Sequence, residues 1–183
     1  MSKRIKKWET ISSRVILKHK FLKVTEDEVL LPDGKTSTYV RLAPSETHSV
    51  LVIAINSKNQ ILIQREYSYP PDKIMWQFPG GSMHKGESIK SAAQRELAEE
   101  SGYGARKLNV IGSYYVHNRS SDEKQYVVLC KDLYRHKLAQ DEDEFIESIW
   151  MSKKELSSLI AEGKIDNINL LAGLSLWLNR NRE

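Results

Sequence analysis

Residues 88–101, SIKSAAQRELAEES, restrict the fold of this chain more than any other stretch. Their composition reads as helix, and a helix turns about 100° per residue. Counted from Glu96, the side chains of Ile89, Ala92, Ala93, Glu99 and Glu100 fall within about 60° of it. Lys90, Ser91, Gln94 and Ala98 fall opposite, with Arg95 and Leu97 on the flanks. Three glutamates therefore continue the apolar stripe that docks on a sheet. The two alanines on that stripe allow the helix to come close.

The alternative is a solvated acidic face. It fits poorly, because carboxylates at a helix C-terminus oppose the helix dipole and repel one another at i,i+3 and i,i+4. Carboxylates facing inward are costly unless a cation neutralises them. Arg95 offsets one charge of three, and a divalent cation is the economical partner for the rest. Hard oxygen ligands, with no Cys or His nearby, point to Mg²⁺ or Mn²⁺ rather than Zn²⁺. The preceding loop PGGSMHKGE carries three glycines, which let backbone approach a ligand or offer a carbonyl to a metal; a flexible turn is the plainer reading. Gly102 reads as the helix C-cap.

The surrounding sequence predicts a sheet. RVILKHKFLKVTEDEVLLPDGKTSTYVRL reads as extended segments with a hairpin turn at PDGK. HSVLVIAINSKNQILIQREY reads as two apolar strands around the polar turn NSKN. YPPDK and QFPGGSMHKGE read as loops. Strands are expected at 106–116, 124–132 and 144–151, and helices near 152–162 and 167–180. In the last helix Leu170, Leu171, Leu174, Trp177 and Leu178 recur at helical spacing. The pattern is an α+β domain with helices packed on a mixed sheet. Two parts are expected: an N-terminal β extension over 1–44 and a main domain over 45–183.

The 183 residues are 40% hydrophobic and 28% charged, a globular composition long enough to bury a core. A net charge of +4 is too modest to imply nucleic acid, and the basic SKRIKK reads as a solvated arm. No stretch is apolar enough to span a membrane. The single cysteine, Cys130, excludes an internal disulfide and suits a reducing cytosol, so a cytoplasmic protein is expected.

Gly81, five residues, Glu87, seven residues and then RELAEESGY resemble the Nudix box of the Nudix hydrolases. Tyr103 stands at a final position that is usually aliphatic. The stretches LPDGK, ILIQREYSYP and DEDEFIE followed by EGKIDN resemble the ADP-ribose and nucleoside-diphosphate-sugar pyrophosphatase branch. The resemblance implies an α/β/α sandwich with a mixed sheet and an N-terminal antiparallel hairpin extension. It implies hydrolysis of the pyrophosphate of ADP-ribose or a related nucleoside diphosphate sugar. Nucleoside triphosphates and dinucleoside polyphosphates remain open, since WQFPGG also occurs in relatives acting on them. A non-enzymatic ADP-ribose sensor is a further alternative, although such modules typically lose box carboxylates.

By position in that pattern, Glu96 and Glu100 would ligate metal directly. Glu99 would share ligation or hold a metal-bound water, and the Gly80 carbonyl would complete a site. Gly81, Glu87, Arg95 and Gly102 would be structural. Glu142 would be the general base, with Asp143 and Glu144 as substitutes. Arg65, Tyr67, Arg119 and Trp8 are the substrate-contact candidates. EYS at 66–68 replaces the QYR of many ADP-ribose enzymes and removes an arginine, for which Arg119 or His117 is the candidate replacement. The branch also implies a homodimer in which N-terminal strands reach the partner's site.

Overall fold

The computed structural model describes residues 5–140 and 145–180. Two compact units form, one from the residues up to Glu46 with Tyr115–Glu123, the other from Thr47–Tyr114 with Lys124 onward.

In the first unit, β1 (Glu9–Lys18), β2 (Lys23–Leu30) and β3 (Thr36–Leu42) make an antiparallel sheet in that order. The PDGK turn joins β2 to β3. The Leu31 N–H donates to the Lys35 carbonyl at 2.8 Å, and Gly34 takes φ 85°, a left-handed conformation that favours glycine. Along β2, Thr25, Asp27 and Val29 alternate as buried residues, the period of a strand with one covered face. Asp27 is 3% exposed, and its carboxylate accepts from Ser13 Oγ at 2.6 Å and from Arg41 Nε at 2.5 Å. A charge so far from water needs this pairing. Every residue of β1 is exposed, including Ile11, Val15, Ile16 and Leu17.

The second unit contains the remaining elements. These are β4 (Ser49–Ala54), β5 (Ile61–Ser68), β6 (Lys73–Gln77), α1 (Ile89–Ser101), β7 (Tyr103–Tyr115), β8 (Lys124–Arg135), β9 (Ile146–Met151), α2 (Lys153–Ala161) and α3 (Ile168–Arg180). β4 runs parallel to β8 in a sheet ordered β4-β8-β7, whereas β5 pairs antiparallel with both neighbours in a sheet ordered β6-β5-β9. SVLVIA is buried at every position, as a parallel strand covered on both faces must be.

Alternation then sends side chains to two layers. Leu51, Ile53, Ile61 and Ile63 pack with Leu156, Leu170, Leu174 and Trp177 of α2 and α3. Val52, Ala54, Leu62, Val128 and Cys130 pack with Ala93 and Leu97 of α1. The result is the expected α/β/α sandwich on a mixed sheet. Each fully buried leucine or isoleucine contributes roughly 1.5–3 kcal/mol.

Two local readings differ from the structure. KIMWQ, between two loops, forms β6 because its backbone pairs with β5 from Lys73 opposite Ser68 to Gln77 opposite Gln64. The two strands expected around NSKN are present as β4 and β5, which belong to different sheets apart from a single bridge between Ile55 and Ile61. Ala98, expected on the polar face of α1, is fully buried. The chain after β8 covers it, and the Leu138 N–H donates to the Ala98 carbonyl at 3.4 Å.

The Ser13 hydrogen bond and the Arg41 ion pair together hold the Asp27 carboxyl below its ordinary 3.8, against the opposing effect of burial. A carboxylate lowered in this way stabilises the fold above its unfolded pKa, and the contribution disappears as pH falls through the folded value. Asp27→Asn is therefore less stable than the wild type at pH 7. The gap in urea midpoint narrows below about pH 4.

Candidate active site

The frame of α1 is fixed at both ends. The Ser88 hydroxyl accepts the Ser91 N–H at 3.1 Å as N-cap, and Gly102, at φ 70°, donates its N–H to the Ala98 carbonyl at 3.1 Å. Ala92 and Ala93 are fully buried, so the helix lies close to the sheet. Glu96 and Glu100 are only 7% and 8% exposed, and Glu99 is half-buried.

The loop that meets these carboxylates runs beside β4. Val52 N–H donates to the Pro79 carbonyl at 2.7 Å and Val50 N–H to the Gly81 carbonyl at 2.9 Å. No backbone donor among the described residues reaches the Gly80 carbonyl between them. Gly80 takes φ 149°, and a Cβ there would lie 2.2 Å from the Val50 oxygen, so the position admits only glycine. The Gly80 N–H donates to Glu100 Oε2 at 3.2 Å. At Gly81 a Cβ would lie 2.6 Å from Glu96 Oε1, in the space the Glu96 carboxylate needs.

Arg95 ties the group together. Its Nε and Nη2 donate to the two oxygens of Glu87, each at 3.1 Å, a bidentate pair. Its Nη1 donates to Glu96 at 2.8 Å and Glu99 at 3.0 Å, and Nη2 also reaches the Ser82 carbonyl at 3.0 Å. One guanidinium thus serves three carboxylates. The Arg95 hydrogen bonds, helped by the His84 N–H, hold Glu87 below the usual carboxylate range. Burial pushes Glu96 the other way, above that range, against the pull of Arg95. Glu96 therefore sits where further positive charge would be favourable.

The donor set suits a hard divalent cation. Glu96, Glu99 and Glu100 are neighbours on one face at i,i+3 and i,i+4, with the Gly80 backbone beside them. In this arrangement the carboxylates turn to N–H donors, and no three acidic, His or Cys side chains converge on one point among the described residues. The backbone positions of the three glutamates are adjacent on one face of α1.

The structure gathers Gly80, Gly81, Glu87, Arg95, Glu96, Glu99, Glu100 and Gly102 around α1. Arg65 and Tyr67 alternate with Leu62 and Gln64 and so project from the opposite face of β5. Arg65 donates to Glu147 at 3.2 Å and lies 5.3 Å from the Trp76 ring, and the Tyr67 hydroxyl donates to Asp72 at 2.8 Å. Trp8 and Arg119 belong to the first unit. There Trp8 stacks edge-on against Tyr39, whose hydroxyl donates to the Arg119 carbonyl at 2.6 Å. Glu142 and Glu144 lie outside the described residues, as does Asp143.

Two supporting residues escaped the sequence reading. Gln64 is fully buried, and its Nε2 donates to Ser148 Oγ at 3.5 Å; Ser148 in turn donates to the Glu100 carbonyl at 3.4 Å. The signal was available. Leu62, Gln64 and Glu66 share one face of β5, and Leu62 on that face packs against α1. The Gln64 Oε1 has no hydrogen-bond partner among the described residues, a feature for which the fold gives no account.

A glycine-braced helix of inward carboxylates on an α/β/α sandwich is a framework suited to a divalent cation. Residues 46–174 match the NUDIX domain, and residues 8–40 match the nucleoside diphosphate sugar hydrolase N-terminal domain. The chain belongs to the Nudix family. It is 30% identical to an ADP-ribose pyrophosphatase from Bacillus subtilis (strain 168) over 159 residues, 86% of this chain and 85% of that one. It is 32% identical to a methanol dehydrogenase activator from Bacillus methanolicus over the same shares of both chains. A crystal structure of an ADP compounds hydrolase superposes with a TM-score of 0.89 at 23% identity, covering 98% of each chain, and shares the fold.

Gly81→Ala forces the Glu96 carboxylate aside while leaving the sheet intact. Affinity for Mn²⁺, measured by calorimetry, is expected to fall about tenfold, with a melting temperature close to that of the wild type.

Proposed function

We propose that this chain hydrolyses the pyrophosphate bond of ADP-ribose or a closely related nucleoside diphosphate sugar, with Mg²⁺ as cofactor and Mn²⁺ as substitute, giving a nucleoside monophosphate and a sugar phosphate. The observation that carries the reading is the pair of buried carboxylates, Glu96 and Glu100, against the Gly80–Gly81 backbone. The ADP-ribose pyrophosphatase relative and the N-terminal match support the substrate class.

Glu96 and Glu100 hold the cations, with Glu99 and the Gly80 carbonyl completing the set. Bound there, Mg²⁺ supplies Lewis acidity toward phosphate oxygens and lowers the pKa of water at neutral pH. Arg95 keeps Glu96 and Glu99 in place and is itself anchored by Glu87. Glu142 accepts the proton of the attacking water, with Asp143 or Glu144 taking that part if the loop register differs. Trp8, Arg65, Tyr67 and Arg119 are proposed substrate contacts.

The proposal includes a cytoplasmic protein. Burial pushes the Cys130 thiol up to about 12, so it is inert. No helix among the described residues is long and apolar enough to cross a membrane.

Glu100→Gln keeps the fold and lowers hydrolysis at least about a hundredfold, because a neutral amide is a poor ligand for a hard cation. Product analysis across ADP-ribose, nucleotide sugars, dinucleoside polyphosphates and triphosphates tests the substrate; a marked preference for triphosphates overturns it.

A homodimer is also proposed. Half-exposed Ile11, Val15, Ile16 and Leu17 on β1 would be covered by a second copy. Light scattering is expected to give twice the chain mass, and Ile16→Asp to shift it toward monomer.

A further inference from the structure

Tyr103 stands where the family pattern usually has an aliphatic residue, and its ring has work that an aliphatic side chain cannot do. Tyr103 meets the edge of Trp150 at 5.5 Å and an 85° interplanar angle. The Arg135 guanidinium lies 4.4 Å from the Tyr103 ring centroid, a cation–π contact. Arg135 ends β8, and the chain then runs along the C-terminal end of α1, where His136 N–H donates to the Gly102 carbonyl at 3.0 Å. Three consecutive cationic or titratable residues, Arg135, His136 and Lys137, thereby border an open pocket of about 560 Å³ whose other wall includes Glu99, Glu100 and Gly102.

None of the three forms an ion pair among the described residues. α1 has no basic residue in its own last turn, and balancing its dipole is the plainer role for these side chains. That role would place a cation on the terminal carbonyls, yet the Arg135 guanidinium lies over the Tyr103 ring instead. With Glu99 and Glu100 neutralised by divalent cations, as in the proposed function on which this inference rests, the described lining of the pocket offers the positive wall no other acidic side chain.

We propose that Arg135, His136 and Lys137 form a phosphate-binding shelf beside the metal-binding glutamates, and that Tyr103 is the positioning residue that holds Arg135 in it. The ligand is a phosphoryl group of the substrate, retained as a phosphate monoester in one of the two products. Nucleoside monophosphate and sugar phosphate share this chemistry, and the experiment separates them.

The test compares the wild type, the Arg135→Ala/Lys137→Ala double variant, Tyr103→Ile and Tyr103→Phe. In the double variant KM for ADP-ribose is expected to rise about tenfold with kcat within about twofold, the loss of a charge-assisted contact made equally in ground and transition states. The inhibition constant of either AMP or ribose 5-phosphate should rise with it, which identifies the half held by the shelf. Its KM should also depend less steeply on salt. Tyr103→Ile should shift KM the same way by less, and Tyr103→Phe, which keeps the ring face, should restore it. Unchanged KM, product inhibition and salt dependence in a double variant that melts like the wild type would overturn the shelf. If the wild type hydrolyses no nucleoside diphosphate compound, the proposed function fails by itself. Calorimetry with AMP and ribose 5-phosphate in the presence of Mg²⁺ then decides the shelf without turnover. Binding lost in the double variant supports it, and equal binding overturns it.

Discussion

Carboxylates buried against a bare backbone are the constraint that organises this molecule. Glu96 and Glu100 are turned from solvent on the same face of α1 as Ala92 and Ala93, and the loop they meet has no side chain at Gly80 or Gly81 to hold them off. The rest follows. The loop must be pinned, and β4 pins it through the Pro79 and Gly81 carbonyls. The charge must be answered, and Arg95 answers part of it from a fork that also fixes Glu87. The helix must be held at its C-terminal end, and Ser148 and the chain after β8 do so. Removing any one of these leaves charge in a poorly solvated place without its partner.

Much of this was legible in the sequence because it depends on local period. The helical angle placed Glu96 and Glu100 with the two alanines, and the structure finds all four buried. The helix expected over 88–101 runs Ile89–Ser101 with Ser88 as cap, and the PDGK turn and both C-terminal helices stand where they were expected. What local period cannot carry is the identity of the partner. β6 was hidden because KIMWQ is short and lies between proline- and glycine-rich loops, and only its pairing with β5 makes it a strand. The same limit explains Ala98. Its angle on the helix was read correctly, but a later segment of chain covers that face.

For the site, the glycine and carboxylate spacing named the residues around α1, while Gln64 and Ser148 required the faces of two strands to be known. The DEDE loop remains a reading from sequence position alone, since residues 141–144 lie outside the described residues.

The pairing of β4 with β8 has a further consequence. Val50 and its partner Tyr126 are separated by most of the domain, and β5 waits still longer for β9. During synthesis the acidic helix leaves the ribosome after β4 and the Gly80–Gly81 loop but well before β8 and β9, which also pack against it. The surroundings of its glutamates are therefore completed only when the C-terminal third arrives. Assembly of this site is a late event with high contact order, and a nascent chain arrested before β8 would carry the complete motif without the environment that gives it chemistry.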